Sequence, residues 1–183
     1  MLNEVDVITQ AVNGNIKAFE LIVKQYEKLV FSVLNKLLYT KEDVEEVSQD
    51  VFMKVYKNLK TFQFQSKLST WIARIAYLTA LNHIKKHKKN DTGSNITDLE
   101  NWHFSDESPE SVYETKDTMN YIAKLMEQMP VQYKTVLTLY HLQEFSYQEI
   151  VQITGLPEGT IKGYLFRARK LLKDKLMLLH TTK

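Results

Sequence analysis

Apolar residues recur at spacings of three and four along most of the chain, which is the periodicity of an α-helix and not of a strand. A first short helix is predicted near residues 2–12, where Gly14 ends it, and Asn15 is a suitable N-cap for a longer second helix. The apolar stripe of this second helix is predicted to face a core, and it consists of Phe19, Ile22, Tyr26, Leu29, Val33 and Leu37.

The next two segments continue the helical pattern. Thr40 is a suitable N-cap for a helix with acidic residues around the positive end of its dipole, and Asp43 stands three positions after Thr40. In the following segment, 69–87, Trp71 shares a stripe with Leu78, which predicts that the indole ring packs in the core. The stripe of the helix that follows Thr40 is Val44, Val47, Val51, Val55 and Leu59.

The helical pattern breaks in residues 91–116, which contain seven acidic residues and no Lys or Arg before Lys116. The preceding stretch "HIKKHKK", 83–89, has four lysines and no acid. A polar segment without sustained periodicity is typical of a linker. The sequence therefore predicts an all-α fold of two small helical domains, 1–90 and 117–183, joined by an acidic flexible linker at 91–116.

A helix-turn-helix is indicated in the second of these domains. Ser146 and Glu149 form an S-x-x-E capping box at the start of a short apolar helix, and Gly155 supplies the left-handed residue that ends it. Pro157 suits the first turn of a second helix, because the N–H that proline lacks is not needed there. The positions of the second helix that are predicted to pack inwards are Ile161 and Leu165.

The opposite face of that second helix is basic and suits the major groove of DNA. The groove admits one helix, and Arg and Lys side chains bind phosphates or the acceptor edge of guanine. A basic run alone is also typical of a solvated helix face, but the capping box, the glycine turn and the proline together favour DNA binding. The residues on this face are Lys162, Gly163, Phe166, Arg167 and Lys170.

Composition narrows the class of protein further. The 44% hydrophobic and 25% charged fractions are those of an ordinary globular protein. The absence of cysteine excludes disulfides, thiolate catalysis and cysteine-based zinc sites. No apolar run reaches the roughly 20 residues of a membrane span, and the N-terminal sequence has no signal-peptide pattern. We therefore expect a cytoplasmic protein that does not insert into a membrane and that uses no cofactor or metal.

Four segments resemble conserved regions of a known family. "AFELIVKQYEKLVFSVLNKLL", "EDVEEVSQDVFMKVYKNLKTF" and "STWIARIAYLTALNHIKK", in this order, resemble the second conserved region of sigma-70 family factors. "MPVQYKTVLTLYHLQEFSYQEIVQITGLPEGTIKGYLFRARKLL" resembles their fourth region. The chain shows no segment that resembles the first or the third conserved region. This combination of regions resembles an extracytoplasmic-function (ECF) sigma factor. The resemblance implies a non-enzymatic protein that binds core RNA polymerase, directs it to specific promoters and helps to melt the DNA.

The resemblance assigns a role to three surfaces. The helix at 42–59 would bind core RNA polymerase, whose clamp and flap regions are the implied partners, although an acid-capped surface helix explains the same pattern. The segment 62–86 would read the melted downstream (minus-ten) promoter element, and the helix-turn-helix would read the double-stranded upstream (minus-thirty-five) element. The implied polymerase-binding residues are Glu42, Glu45, Glu46, Gln49, Asp50 and Lys54. The implied downstream residues are Phe64, Gln65, Ser66, Lys67, Tyr77, Asn82, Lys85 and Lys86, and the upstream residues are Thr160, Lys162, Gly163, Phe166, Arg167, Arg169 and Lys170.

The chain departs from the family pattern at several of these positions. Leu78 stands where the family usually has Asn in Arg-Ile-Ala-x-Asn, so a polar base contact is either lost or moved to Asn82. Gly163 and Tyr164 replace a hydroxyl and a cation of the usual Thr-Val-Lys-Ser-Arg. The loop "QFQSKLS" is also less acidic and less glycine-rich than its usual counterpart. Because of these departures, the promoter sequence that this chain would read cannot be inferred from other members of the family.

Two other functions are open from the residues alone. A regulator could bind duplex DNA through residues 133–175, with the first half used for sensing or dimerisation. A metal-dependent enzyme could use His83 and His87, which share a helix face, although lysines surround them.

The acidic linker would either imitate nucleic acid in the polymerase channel or act as a spacer. The family resemblance also implies an anti-sigma factor, often membrane-linked, as a further partner.

Overall fold

The computed structural model describes residues 4–88 and 115–181. All regular secondary structure in these residues is helical, as the periodicity predicts. The predicted linker lies outside the described residues except for its last two positions. The helices are α1 (Glu4–Val12), α2 (Ile16–Leu34), α3 (Lys41–Asn58), a 3-10 turn (Leu59–Thr61), α4 (Leu68–Lys88), α5 (Thr115–Gln128), α6 (Val131–His141), α7 (Tyr147–Thr154) and α8 (Glu158–Thr181).

In the N-terminal half, α1 to α4, helix α2 packs against the other three helices. Its start is fixed by Asn15, whose Oδ1 accepts a hydrogen bond from the Ala18 amide at 3.3 Å. The start of α3 is fixed by Thr40, whose Oγ1 accepts from the Asp43 amide at 3.0 Å. Both predicted caps are confirmed. The stripe of α3 is buried as predicted, with at most 3% exposure at Val44, Val47, Val51, Val55 and Leu59.

The buried face of α4 differs from the predicted one. Leu78 is 41% exposed, and Trp71 and Ile75 are only partly buried against the edge of the core. Small side chains accompany Leu68 and Ile72 in the interior, and the alanines among them let α4 approach α2 and α3 closely. The buried positions of α4 are Leu68, Thr70, Ile72, Ala73, Ala76, Thr79 and Ala80.

In the C-terminal half, α5 to α8, helix α6 is enclosed almost completely. The predicted apolar residues Tyr133, Val136 and Leu137 are buried, but so are the polar residues Lys134 and Thr138. Burial lowers the pKa of Lys134, and the neighbouring charge of Lys36 on the segment after α2 lowers it further. Polar side chains are buried here because α6 packs against α8, α7 and α2 of the N-terminal half at the same time.

The two halves touch along a second and longer contact, where α7 lies against α4. A hydrogen bond from Gln143 Nε2 to Ser32 Oγ, 3.0 Å long, joins them at one end. Periodicity within each half predicts two tethered domains and gives no sign of this contact. Among the described helices, none is both long and apolar enough to cross a membrane.

Candidate nucleic-acid interface

The turn between α7 and α8 is built by the residues that the sequence indicates. Ser146 Oγ accepts from the Glu149 amide at 3.3 Å, and Glu149 Oε2 accepts from the Ser146 amide at 2.8 Å, which completes the capping box. Gly155 has φ of +75°, and its amide donates to Val151 O at 2.8 Å. The predicted box and left-handed glycine are therefore confirmed, and they fix the angle at which α8 leaves the turn.

Helix α8 presents the predicted basic face outwards. It begins at Glu158, so that Pro157 is the residue before the helix, and Pro157 O accepts from the Ile161 amide at 3.1 Å. Ile161, Leu165 and Ala168 are at most 1% exposed and anchor the inner side. The outer side carries the predicted upstream-element residues, with Thr160 and Gly163 partly exposed and Lys162, Phe166, Arg167, Arg169 and Lys170 exposed.

Two of these cations are held in place by neighbouring side chains. Lys162 Nζ lies 2.6 Å from Glu158 Oε1 and 5.3 Å from the centre of the Tyr147 ring. The hydrogen bond from Lys162 to Glu158 raises the pKa of Lys162, so the group stays charged. Arg169 Nε donates to His141 Nε2 at 3.0 Å, which connects α8 to the end of α6. Both cations keep defined positions on the surface.

Phe166 and Gly163 complete the middle of this face. Phe166 is 68% exposed and places an apolar ring at the centre of this charged surface. A Cβ placed on Gly163 would meet no atom within 4 Å. Packing inside the protein therefore does not require glycine at this position, and what Gly163 provides is open backbone on the outer side of α8.

The loop before α4 exposes an aromatic ring on a strained backbone. Phe64 has φ of +56°, a left-handed conformation that L-residues other than Asn and Asp rarely adopt, and its side chain is 52% exposed. Its ring centre lies 4.9 Å from that of Phe62, which in turn lies 5.3 Å from that of Trp71. Gln65 and Lys67 beside it are exposed, and Ser66 is partly exposed.

Helix α4 continues the surface that begins at this loop. Leu78, Asn82 and Lys85 are exposed at spacings of four and three and so lie along one line, with Lys86 exposed beside them. Arg74, one turn before Leu78, is exposed on the same line. The spacing of four residues in the sequence could have identified Arg74 as a further member of this surface. Tyr77 is half-buried. Burial is the main reason that the pKa of Tyr77 is raised, and the neighbouring Tyr164 of α8 raises it further.

The six residues predicted to bind polymerase are all exposed on α3. Glu45 forms an ion pair with Lys41 at 3.4 Å, and Lys54 Nζ donates to Thr79 Oγ1 of α4 at 3.2 Å. Two exposed apolar side chains that follow the acids on α3 were missed by sequence reasoning, Met53 at 54% and Tyr56 at 44% exposure. Both residues lie outside the buried valine stripe, and this position could have indicated from the sequence that they are exposed.

The histidines of α4 lie near an acid that is distant in sequence. His83 Nε2 is 3.1 Å from Asp43 Oδ1, and the rings of His83 and His87 are in contact at a tilt of 33°, with their centres 4.3 Å apart. Within the described ranges, no three His, Asp or Glu side chains form a group that could hold a metal ion. The arrangement is that of a hydrogen bond between α3 and α4.

Two family models match the chain in the predicted order. The one described as "Sigma-70 region 2" matches residues 22–90, and the one described as "Sigma-70, region 4" matches residues 119–172. The chain belongs to the sigma-70 family. The N-terminal half of this sigma factor is therefore assigned to region 2 and the C-terminal half to region 4. The helix-turn-helix described above lies within region 4.

Curated relatives place this sigma factor among those of the ECF type. It is 29% identical to the ECF RNA polymerase sigma-E factor of Haemophilus influenzae, over 96% of each chain. It is 27% identical to the RNA polymerase sigma-H factor of Pseudomonas aeruginosa, over 93% of this chain and 92% of that one. It is 28% identical to the ECF sigma-E factor of Escherichia coli K12, over 92% of each chain. The similarity extends over both regions and the segment between them.

Solved structures share the fold of this sigma factor. The structure of CnrH in complex with the cytosolic domain of CnrY matches with a TM-score of 0.65 at 18% identity, over 94% of this chain and 96% of that one. The sigma factor RpoE of Bartonella quintana, in complex with the anti-sigma factor NepR, matches with a TM-score of 0.66 at 19% identity, over 88% and 98%. The chain is thus an ECF sigma factor, and it acts in the initiation of transcription by RNA polymerase.

Proposed function

We propose that the two halves of this sigma factor divide promoter recognition between them. The domain at 1–90 binds core RNA polymerase and reads the melted downstream element, the domain at 117–183 reads the duplex upstream element, and 91–116 connects them. The exposed basic face of α8, set on a helix-turn-helix, is the observation that carries this proposal. The chain catalyses no reaction and works in the cytoplasm, where promoter DNA and polymerase are.

Helix α8 is suited to the major groove in both charge and shape. Arg167 and Lys170 supply positive charge for phosphates and for the acceptor edge of guanine. Phe166 offers an apolar surface of the kind that contacts a thymine methyl group. Gly163 removes a side chain from the same face, so the backbone can approach the bases. The cost of exposing Phe166 to water in the free protein is recovered when the groove covers it.

The loop at 62–67 and the outer line of α4 are suited to a separated DNA strand. An exposed aromatic ring offers a stacking surface for an unpaired base, and Phe64 is such a ring. Lys85 and Lys86 continue along α4 and would meet the backbone phosphates. Leu78, exposed on the same line, replaces a polar contact by an apolar one. We therefore assign stacking to the loop and strand retention to the basic end of α4.

The outer face of α3 is the proposed polymerase contact. Met53 and Tyr56 continue the exposed face of Glu46, Gln49 and Asp50 towards the end of α3, and exposed apolar side chains next to charged ones are typical of a protein interface. Docking there would hold the two DNA-binding halves at a fixed spacing on the promoter, so that the second contact becomes intramolecular. An anti-sigma factor is proposed as a further partner, since the Bartonella relative is held by one.

The test is a promoter-opening assay on AT-rich bacterial upstream fragments, with core polymerase, the sigma factor, or both. We expect opening of particular fragments only in the mixture. The double variant Glu46→Lys and Asp50→Lys should abolish opening, while Glu20→Lys with Glu27→Lys, which make the same charge change on α2, should not. Tight duplex binding by the protein alone, with no initiation added to core polymerase, would replace the proposal by a free-standing regulator.

A further inference from the structure

One edge of α8 carries two cations that lie over a pair of stacked tyrosines. The ring centres of Tyr140, at the end of α6, and Tyr147, in the first turn of α7, are 5.0 Å apart, and the rings are tilted by 28°. The Arg169 guanidinium carbon lies 5.2 Å from the centre of the Tyr140 ring, and Lys162 Nζ lies 5.3 Å from that of Tyr147. These four residues, which we call the tyrosine shelf, come from three helices of the C-terminal half.

The tyrosine shelf adjoins the proposed recognition face of α8. Lys162, Phe166 and Arg169 follow one another at spacings of four and three, so they lie along one line of the helix. In a helix-turn-helix the second helix lies in the major groove, while the first helix crosses the sugar–phosphate backbone beside it. Here these helices are α8 and α7, and Tyr147 lies where α7 begins. The cations of the shelf therefore lie where a DNA strand would border the groove.

The two cations differ in the charge of their partners. Lys162 Nζ is paired with the Glu158 carboxylate at 2.6 Å, which offsets part of its charge. Arg169 Nε donates to His141 Nε2 at 3.0 Å, and an imidazole that accepts at Nε2 is neutral, with its proton on Nδ1. Desolvation lowers the pKa of His141, and the charge of Arg169 lowers it further, which favours this neutral form. Arg169 is therefore held in place while it keeps its full charge.

The hydrogen bond with His141 engages the inner part of the Arg169 guanidinium group. Four further N–H groups, on the two terminal nitrogens, can still donate, and they form the planar fork that suits the oxygens of a phosphate. The bond through Nε and the contact with the Tyr140 ring fix the direction of this fork. A side chain that is already ordered loses less conformational freedom when it binds, which improves affinity by about two- to ten-fold.

We propose that His141 is a positioning residue, which holds Arg169 in the orientation that binds a phosphate of the DNA strand bordering the upstream element. The inference rests on the proposed function, because that function places α8 in the groove. Tyr140 supports the same guanidinium group through its ring. His141 acts through Arg169 and does not bind DNA itself, so its contribution should vanish when Arg169 is replaced.

The first test measures holoenzyme binding to a promoter fragment found in the opening assay, over a range of KCl concentrations. Arg169→Gln should weaken binding. It should also reduce the slope of the logarithm of the binding constant against that of the salt concentration by about 0.9, the loss of one phosphate contact. His141→Ala should weaken binding about two- to ten-fold. His141→Gln should restore it, since the amide oxygen of glutamine can accept from Arg169 Nε.

The control for Arg169→Gln is Lys124→Gln, which removes a cation from the exposed side of α5 in the same half. This change should alter neither the affinity nor the salt slope. His141→Ala should keep its full effect in the Lys124→Gln background and lose it in the Arg169→Gln background. Additive effects of His141→Ala and Arg169→Gln would overturn the inference, because His141 would then act without Arg169.

A second measurement needs neither DNA nor polymerase. Nitrogen-15 NMR of the free protein at neutral pH should show His141 with its proton on Nδ1 and with Nε2 unprotonated. A ring with its proton on Nε2 cannot accept from Arg169 and would overturn the inference.

Failure of the proposed function would give a different result. If the holoenzyme opens no fragment, α8 has no upstream element to read and both proposals are wrong. If it opens fragments and His141→Ala binds them as tightly as the original protein, only the positioning role of His141 is wrong.

Discussion

His83 Nε2 and Asp43 Oδ1 lie 3.1 Å apart and join the C-terminal part of α4 to the first turn of α3. The hydrogen bond with Thr40 lowers the pKa of Asp43, and His83 adds to the shift. The same carboxylate also interacts favourably with the positive end of the α3 dipole. This pair therefore connects the proposed polymerase-binding helix to the proposed strand-binding helix.

Asp43→Asn should make the N-terminal half slightly less stable, with the melting temperature lowered by a few degrees at neutral pH. A carboxylate whose folded-state pKa is lowered adds stability above its unfolded pKa, and this stability is lost as the pH falls through the folded pKa. The melting temperature of the original protein should therefore fall more steeply below about pH 4 than that of the variant.

Glu42→Gln is the control for this measurement, because Glu42 lies in the same turn and is exposed. The comparison is made by thermal melting from neutral to acidic pH. Parallel acid profiles for Asp43→Asn and the original protein would show that the lowered pKa of Asp43 contributes nothing to stability.

The features that follow from neighbouring residues were predictable from the sequence. The caps at Thr40 and Ser146 and the glycine turn at Gly155 each depend on a few consecutive residues, and all three are present. The stripes of α2 and α3 were also predictable, because each of these helices buries mainly one face. The basic face of α8 follows from the same periodicity, since Ile161 and Leu165 define its inner side.

The features that depend on distant contacts could not be predicted in this way. Alanines of α4 are buried because two other helices approach them, and alanine itself gives only a weak apolar signal. Thr138 and Lys134 look like solvent-facing positions of α6, and they are buried because α2, α7 and α8 all pack against this helix. The contact of Glu149 with Lys67 joins two exposed-looking charges 82 positions apart. No pattern within either half contains that information.

Gly155→Ala and Gly159→Ala should affect stability in opposite directions. A Cβ at either position would meet no atom within 4 Å, so only backbone conformation distinguishes them. Gly155 has φ of +75°, where an alanine costs about 1–2 kcal/mol. Gly159 lies in the first turn of α8, where alanine is preferred by up to ~1 kcal/mol. Urea unfolding of both variants tests this, and equal destabilisation would contradict a specific left-handed requirement at Gly155.

Phe64→Gly should separate stability from promoter opening. Glycine adopts φ of +56° without strain, which offsets the lost ring contact with Phe62, so the free energy of unfolding should change by no more than ~1 kcal/mol. Promoter opening by the holoenzyme should fall, because a base loses a stacking partner worth about 1–3 kcal/mol. Gln63→Gly, a neighbouring exposed position, is the control. Unchanged opening by Phe64→Gly, measured with a fluorescent base analogue in the downstream element, would remove Phe64 from the strand-binding surface.

Gly163→Ala tests whether the open backbone of α8 is used by DNA. The position is inside a helix and has free space around it, so alanine should stabilise the C-terminal half by ~0.5–1 kcal/mol. If the upstream duplex approaches the backbone there, the added methyl group should nevertheless weaken upstream-element binding by the holoenzyme. Gly159→Ala, which makes the same chemical change one turn earlier, should stabilise the protein without this loss if it lies outside the DNA contact. A gain in stability with undiminished affinity for Gly163→Ala would show that the DNA does not approach α8 at this position, and the recognition surface would then have to be centred further along, near Arg167 and Lys170.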